Sequence, residues 1–77
     1  MSTQDERRRP EDELRRLDED IAKLKGSTAE IRAQVRDMGA TDAIERAAML
    51  SMADEQDVLI SELEVRRERL RARLGSS

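Results

Sequence analysis

The chain has 77 residues, which limits it to one small domain. Apolar residues make up 36% and charged residues 43%, the net charge is −3, and aromatic residues, cysteine and histidine are all absent. That composition excludes zinc sites, thiol nucleophiles, disulfide frames, imidazole bases and stacking platforms for single-stranded nucleic acid, and it makes a non-enzymatic protein the expectation.

In chain order, Met1–Arg9 carries no apolar side chain beyond the initiator and reads as a disordered tail over residues 1–9. No signal-peptide core follows, and no apolar run approaches the length of a membrane span, so the expected location is cytoplasmic. Pro10 with Glu11, Asp12 and Glu13 reads as a helix start, because proline suits the first helical position and carboxylates complement the positive end of the helix dipole. Leu14, Leu17, Ile21, Leu24, Ile31, Val35 and Met38 then follow a heptad seam, with Thr28 standing where the repeat calls for another apolar residue. This predicts a helix over 10–38. Gly26-Ser27-Thr28-Ala29-Glu30 could cap and restart a helix, yet the heptad passes through it unshifted, so the expectation is a continuous helix with a kink at 26–28.

Gly39 is a natural left-handed helix terminator, and Asp42 with Glu45 forms a box-like cap, which predicts a loop at 39–41 and a second helix over 42–74. Its expected core stripe is Ile44, Ala48, Met52, Leu59, Leu63, Leu70 and Leu74. A loop this short makes the helices antiparallel. Folding there pairs Met38 with Ile44, Val35 with Ala48, Ile31 with Met52, Leu24 with Leu59, Ile21 with Leu63 and Leu14 with Leu70, and it sets Thr28 opposite Gln56. The fold class is therefore all-α, an antiparallel helical hairpin of coiled-coil type. A hairpin has one seam and buries little area. Met49, Leu50, Val58 and Ile60 widen the apolar face and are expected to bind a partner, with a homodimeric four-helix bundle favoured over a hairpin stable alone or a three-helix arrangement broken at Gly26.

Charge is uneven along the chain. Residues 27–57 hold seven acids against three arginines, whereas Arg66, Arg67, Arg69, Arg71 and Arg73 form a basic patch. Glu62, Glu64 and Glu68 lie beside or within that patch, which argues for a solvated face laced by Glu62–Arg66, Glu64–Arg67 and Glu68–Arg71 pairs rather than for direct nucleic-acid binding. At the loop end, Asp42 and Glu45 could share a divalent cation with further ligands from elsewhere, or act only as the cap.

From Asp42 to Gln56 the run DAIERAAMLSMADEQ resembles the loop end of the N-terminal coiled coil of Gre-type transcript-cleavage factors. Asp42, Glu45, Ala47, Glu55 and Gln56 fall at matching positions, and Leu63 and Leu70 fit later apolar ones. The resemblance implies a small transcription regulator that enters the secondary channel of RNA polymerase, with Asp42 and Glu45 helping to hold a magnesium ion shared with the polymerase. The family's Asn, second Glu and Tyr are replaced by Arg46, Ala48 and Met49, and the glycine it places beside the Asp is Gly39, two residues early. These 77 residues contain no counterpart of its C-terminal globular domain, which leaves the Arg66–Arg73 patch to make the rim contacts. Outside this resemblance no cofactor is expected, and the alternatives are a self-associating structural or adaptor coiled coil, or an antitoxin-like or anti-sigma-like inhibitor of a protein partner.

Overall fold

Two long helices form because, between Pro10 and Gly75, strong helix formers are interrupted by glycine only at Gly26 and Gly39. The computed structural model describes residues 3–39 and 42–75, with side chains from residue 9 onward. Helix α1 spans Thr3–Asp37 and α2 spans Ala43–Gly75. They pack side by side in a hairpin of 60 × 18 × 15 Å. Its antiparallel sense shows in the ion pairs that join Glu13 to Arg66 near the open end and Arg32 to Asp57 nearer the loop.

The N-terminal expectation is corrected. Thr3–Arg9 continue α1 instead of forming a tail, and Pro10 lies inside the helix rather than at its first position. Glu6, Arg7, Arg8 and Arg9 are all good helix formers, so the helix continues past the one backbone hydrogen bond that proline cannot donate. Met1 and Ser2 lie outside the described residues.

At the turn, residues 40 and 41 of the expected 39–41 loop lie outside the described residues. Gly39 has φ +67°, the left-handed conformation that ends a helix and that any Cβ would strain. Across the turn Asp42 is the N-cap of α2: its Oδ1 accepts from the Glu45 backbone N–H at 3.1 Å, and its carbonyl accepts from the Arg46 N–H at 3.0 Å. Farther back, α1 runs unbroken through Gly26–Thr28.

On α1 the seam is the expected one. Leu17, Ile21, Thr28 and Val35 are buried, and Leu14, Leu24, Ile31 and Met38 are half-buried. On α2 the loop-proximal half is corrected by one residue. The seam there is Met49, Ala53, Gln56, Ile60, Leu63, Arg67, Leu70 and Leu74, an unbroken alternation of four- and three-residue steps. Ile44, Ala48, Met52 and Leu59 are exposed. Two successive four-residue steps, Ile44 to Ala48 to Met52, carry a stripe about 80° around the helix and away from the partner, at about 100° per residue. Val35 therefore stands level with Met49, Ile31 with Ala53 and Leu24 with Ile60, while Ile21–Leu63 and Leu14–Leu70 keep their expected levels.

The polar layer sits where the sequence places it. Thr28 Oγ1 lies 2.7 Å from Gln56 Oε1 and 2.8 Å from the Leu24 carbonyl. One hydroxyl proton cannot serve two acceptors. The consistent arrangement has Thr28 donating to the Leu24 carbonyl and accepting from the Gln56 amide N–H, with the amide turned end for end. So satisfied, the layer fixes register at the midpoint of the seam. Thr28→Val alone strands the Gln56 amide and is expected to lower stability by ~1–3 kcal/mol. Thr28→Val with Gln56→Leu removes both polar groups and is expected to raise the melting temperature above wild type. Urea titration of the two single variants and the double variant checks this through their coupling energy, which must be large and favourable to the double.

Candidate functional site

The two edges of the hairpin, where α1 and α2 meet the solvent, differ in chemistry. On one edge opposite charges face each other at successive heptads. Asp18 pairs with Arg71 at 3.7 Å and Lys25 with Glu64 at 3.5 Å. Arg32 forks onto both carboxylate oxygens of Asp57 and lies 3.4 Å from Asp54. The other edge carries Glu13–Arg66 at 2.7 Å near the open end. Seven and fourteen residues before Arg66, that same edge holds Leu59 and Met52 instead of charges.

Of the five arginines of the basic patch only Arg67 turns inward, while Arg66, Arg69, Arg71 and Arg73 are exposed. Arg67 occupies a seam position level with Leu17, with its side chain 20% exposed, its stem against the apolar seam and its head reaching Asp18 at 3.4 Å and Glu64 at 3.6 Å. Among the described residues its Nε has no hydrogen-bond partner, although it lies 3.6 Å from a Glu68 carboxylate oxygen. Arg71 bonds Glu68 at 3.1 Å. The expected Glu64–Arg67 and Glu68–Arg71 pairs are present, whereas Arg66 reaches across to Glu13 instead of back to Glu62. Arg69 is exposed, and Arg73 lies in the last turn of α2, where a cation complements the helix dipole.

Of the four expected partner-binding residues, two face outward. Leu50 is 39% and Val58 59% exposed. Ile60 is a correction: it is buried in the seam level with Leu24, because its position continues the four–three repeat. Met49 is likewise a seam residue and half-buried. Sequence reasoning missed the outward row itself. Ile44, Val58 and Val65 recur at heptad spacing, and Met52 and Leu59 lie one residue after the row positions, with exposures from 49% for Leu59 to 85% for Ile44. The signal was visible as a second apolar stripe on α2.

Asp42 and Glu45 are neighbours at the tip, both exposed, and the Asp42 side chain is engaged in the cap. Among the described residues no three acidic side chains gather as a metal-binding group, so a cation held here would take its further ligands from a partner. No described helix is long and apolar enough to cross a membrane. Comparison with family models, curated proteins and solved structures finds no match, so the Gre-type resemblance rests on the residues quoted for it.

The Arg32–Asp57 pair gives the edge its pH dependence. The hydrogen bonds from Arg32 hold the Asp57 carboxyl below its ordinary value, with charge attraction adding to them and partial burial opposing. The same bonds raise Arg32 above its ordinary value. A depressed carboxyl stabilises the fold above its unfolded-state pKa, and that contribution is lost as pH falls through the lower folded-state value. Asp57→Asn is therefore expected to flatten the acid limb of the stability–pH curve, read as melting temperature between about pH 5 and pH 2. An unchanged acid limb would show that the pair contributes nothing to it.

Proposed function

We propose that this chain is a non-enzymatic helical interaction module whose outward face of α2 joins a second copy, giving a dimeric four-helix bundle. The observation that carries this reading is the exposed row Ile44, Met52, Val58, Leu59 and Val65. It extends about 30 Å along α2 at ~1.5 Å per residue. The hairpin's own seam is thin, with no large side chain fully buried among the described residues, so a second apolar contact adds materially to its stability.

The row is also its own complement when reversed. At seven-residue spacing one line of α2 reads Glu45, Met52, Leu59, Arg66. Two α2 helices packed antiparallel about a twofold axis between Met52 and Leu59 set Glu45 against Arg66 of the second copy and Met52 against its Leu59. On the adjacent line Val65 and Val58 of the second copy fall two residues, about 3 Å, from level with Ile44 and Ser51, still within reach of them. A parallel arrangement would set like charges together. Arg66 has room for both partners, since its side chain is 65% exposed and bonds Glu13 through one terminal nitrogen. Two observations favour this reading over entry of the tip into a polymerase channel. Asp42 is already bonded by the Glu45 backbone, and Arg67 and Arg71, needed for rim contacts, face Asp18, Glu64 and Glu68.

Sedimentation across a concentration series tests the proposal. The wild type is expected to dimerise, with a melting temperature that rises with concentration. Val58→Glu places a charge on the outward row without touching the seam, and it should weaken dimerisation by on the order of tenfold or more while helicity is retained. Glu45→Arg and Arg66→Glu should each weaken it by a few-fold, and their combination should recover it. A wild-type chain that stays a folded monomer at high micromolar concentration sinks the proposal.

A further inference from the structure

The edge that carries the heptad ion pairs also holds a groove of about 620 Å³ near the loop. Its floor is apolar, with Ala29, Val35, Leu50 and Ile60, and its walls carry Lys25, Arg32, Arg36 and Arg46. Residues 27–57 contain seven acids and three arginines. All three arginines line this groove, whereas Asp57 is the single acid of the seven that does. The most acidic half of the hairpin has thus gathered its cations on one side.

These cations are not equivalent. Lys25 is answered by Glu64, and Arg32 by Asp54 and Asp57. Arg36, from α1, and Arg46, from α2, make no ion pair among the described residues and are exposed, one on each helix beside Leu50 and Val35. Two uncompensated guanidinium groups therefore flank an apolar trough that runs between two antiparallel helices.

We infer that this groove docks an acidic amphipathic helix of a partner protein. A third helix laid between two others fits its ridge of side chains into their shared groove, with apolar residues of one face on Leu50, Val35 and Ala29. Carboxylates on either flank of that helix then meet Arg36 and Arg46 with planar, two-pronged hydrogen bonds. Ala29 has the small side chain that lets a helix approach closely. The site lies on the opposite edge from Met52 and Leu59, so it can be filled whether or not α2 pairs with a second copy.

The test measures binding of the full chain, by fluorescence anisotropy, to a labelled synthetic helix of ~18 residues, about five turns. This probe carries leucines at three- and four-residue spacing with glutamates on both flanks, and a second probe has the same leucines with lysine flanks. The expected result is binding of the acidic probe on the order of tenfold tighter than the lysine probe, with affinity falling as salt is raised. Arg36→Glu with Arg46→Glu should reverse that preference, and circular dichroism should show its helicity unchanged. Leu50→Ala should weaken both probes without changing their order. Equal binding of the two probes, or none, overturns the inference. So does a double charge reversal that abolishes self-association in sedimentation, which would make a second copy the occupant. Preferential binding to anionic phosphatidylglycerol vesicles over the acidic probe overturns it as well.

Discussion

At the middle of the seam Thr28 meets Gln56, and the rest of the hairpin depends on that contact. Coiled-coil seams made only of aliphatic side chains can slide by a heptad at small cost, because one apolar layer resembles the next. Here a seven-residue slide would set Thr28 against Leu63 and Gln56 against Val35, leaving both polar groups buried without each other. Each unpaired group costs ~1–3 kcal/mol, a large share of the stability available to two helices with one seam. The same slide would pull Arg32 from Asp57 and Lys25 from Glu64. Individually, exposed pairs of this kind contribute ~0–1 kcal/mol, so their role is to disfavour other registers more than to hold this one.

With the register fixed, α2 is left with more apolar residues than one seam can use. Met49, Ile60, Leu63 and Leu70 go inward, and Ile44, Met52, Val58, Leu59 and Val65 remain outside. A helix that faces only one neighbour shows one stripe, and α1 does: its apolar positions agree with its burial from Leu14 to Met38. On α2 two stripes compete for the eye. The larger side chains Ile44, Met52 and Leu59 suggest the seam, while the true seam passes through Ala53, Gln56 and Arg67. Size and hydrophobicity mislead here because steric fit at a two-helix interface depends on angular position first, and only strict alternation of three- and four-residue steps keeps a row facing its partner. The polar members were the better guide, since Gln56 answers Thr28 and so belongs to the repeat.

The turn was legible for the opposite reason, that its signals are local. Gly39 supplies a conformation other residues resist, and Asp42 supplies an oxygen where the Glu45 N–H requires one, so neither depends on distant packing. The start of α1 was less legible. Pro10 is a good first residue for a helix, but that preference does not forbid helix before it, and flanking glutamate and arginines supply the propensity to extend. The destinations of the arginines were least legible, because a pair such as Arg66 with Glu13 depends on the register of two helices far apart in sequence.

The unequal edges then decide what kind of neighbour each can accept. Along the Met52–Leu59 edge an approaching helix meets the apolar side chains of α2, and its flanking charges must match Glu45 and Arg66 of α2 and Asp20 of α1. Along the Arg32 edge an apolar newcomer would have to desolvate Arg36 and Arg46 without replacing their hydration, a penalty that outweighs burial of Leu50. A newcomer bearing carboxylates replaces that hydration with charge-assisted hydrogen bonds, so the penalty becomes a source of selectivity. Both edges lie on the same pair of helices and differ by half a turn or less around α2. The distinction between them is set by the register, since a one-residue rotation of α2 would carry Leu50 toward the solvent and Leu59 into the seam.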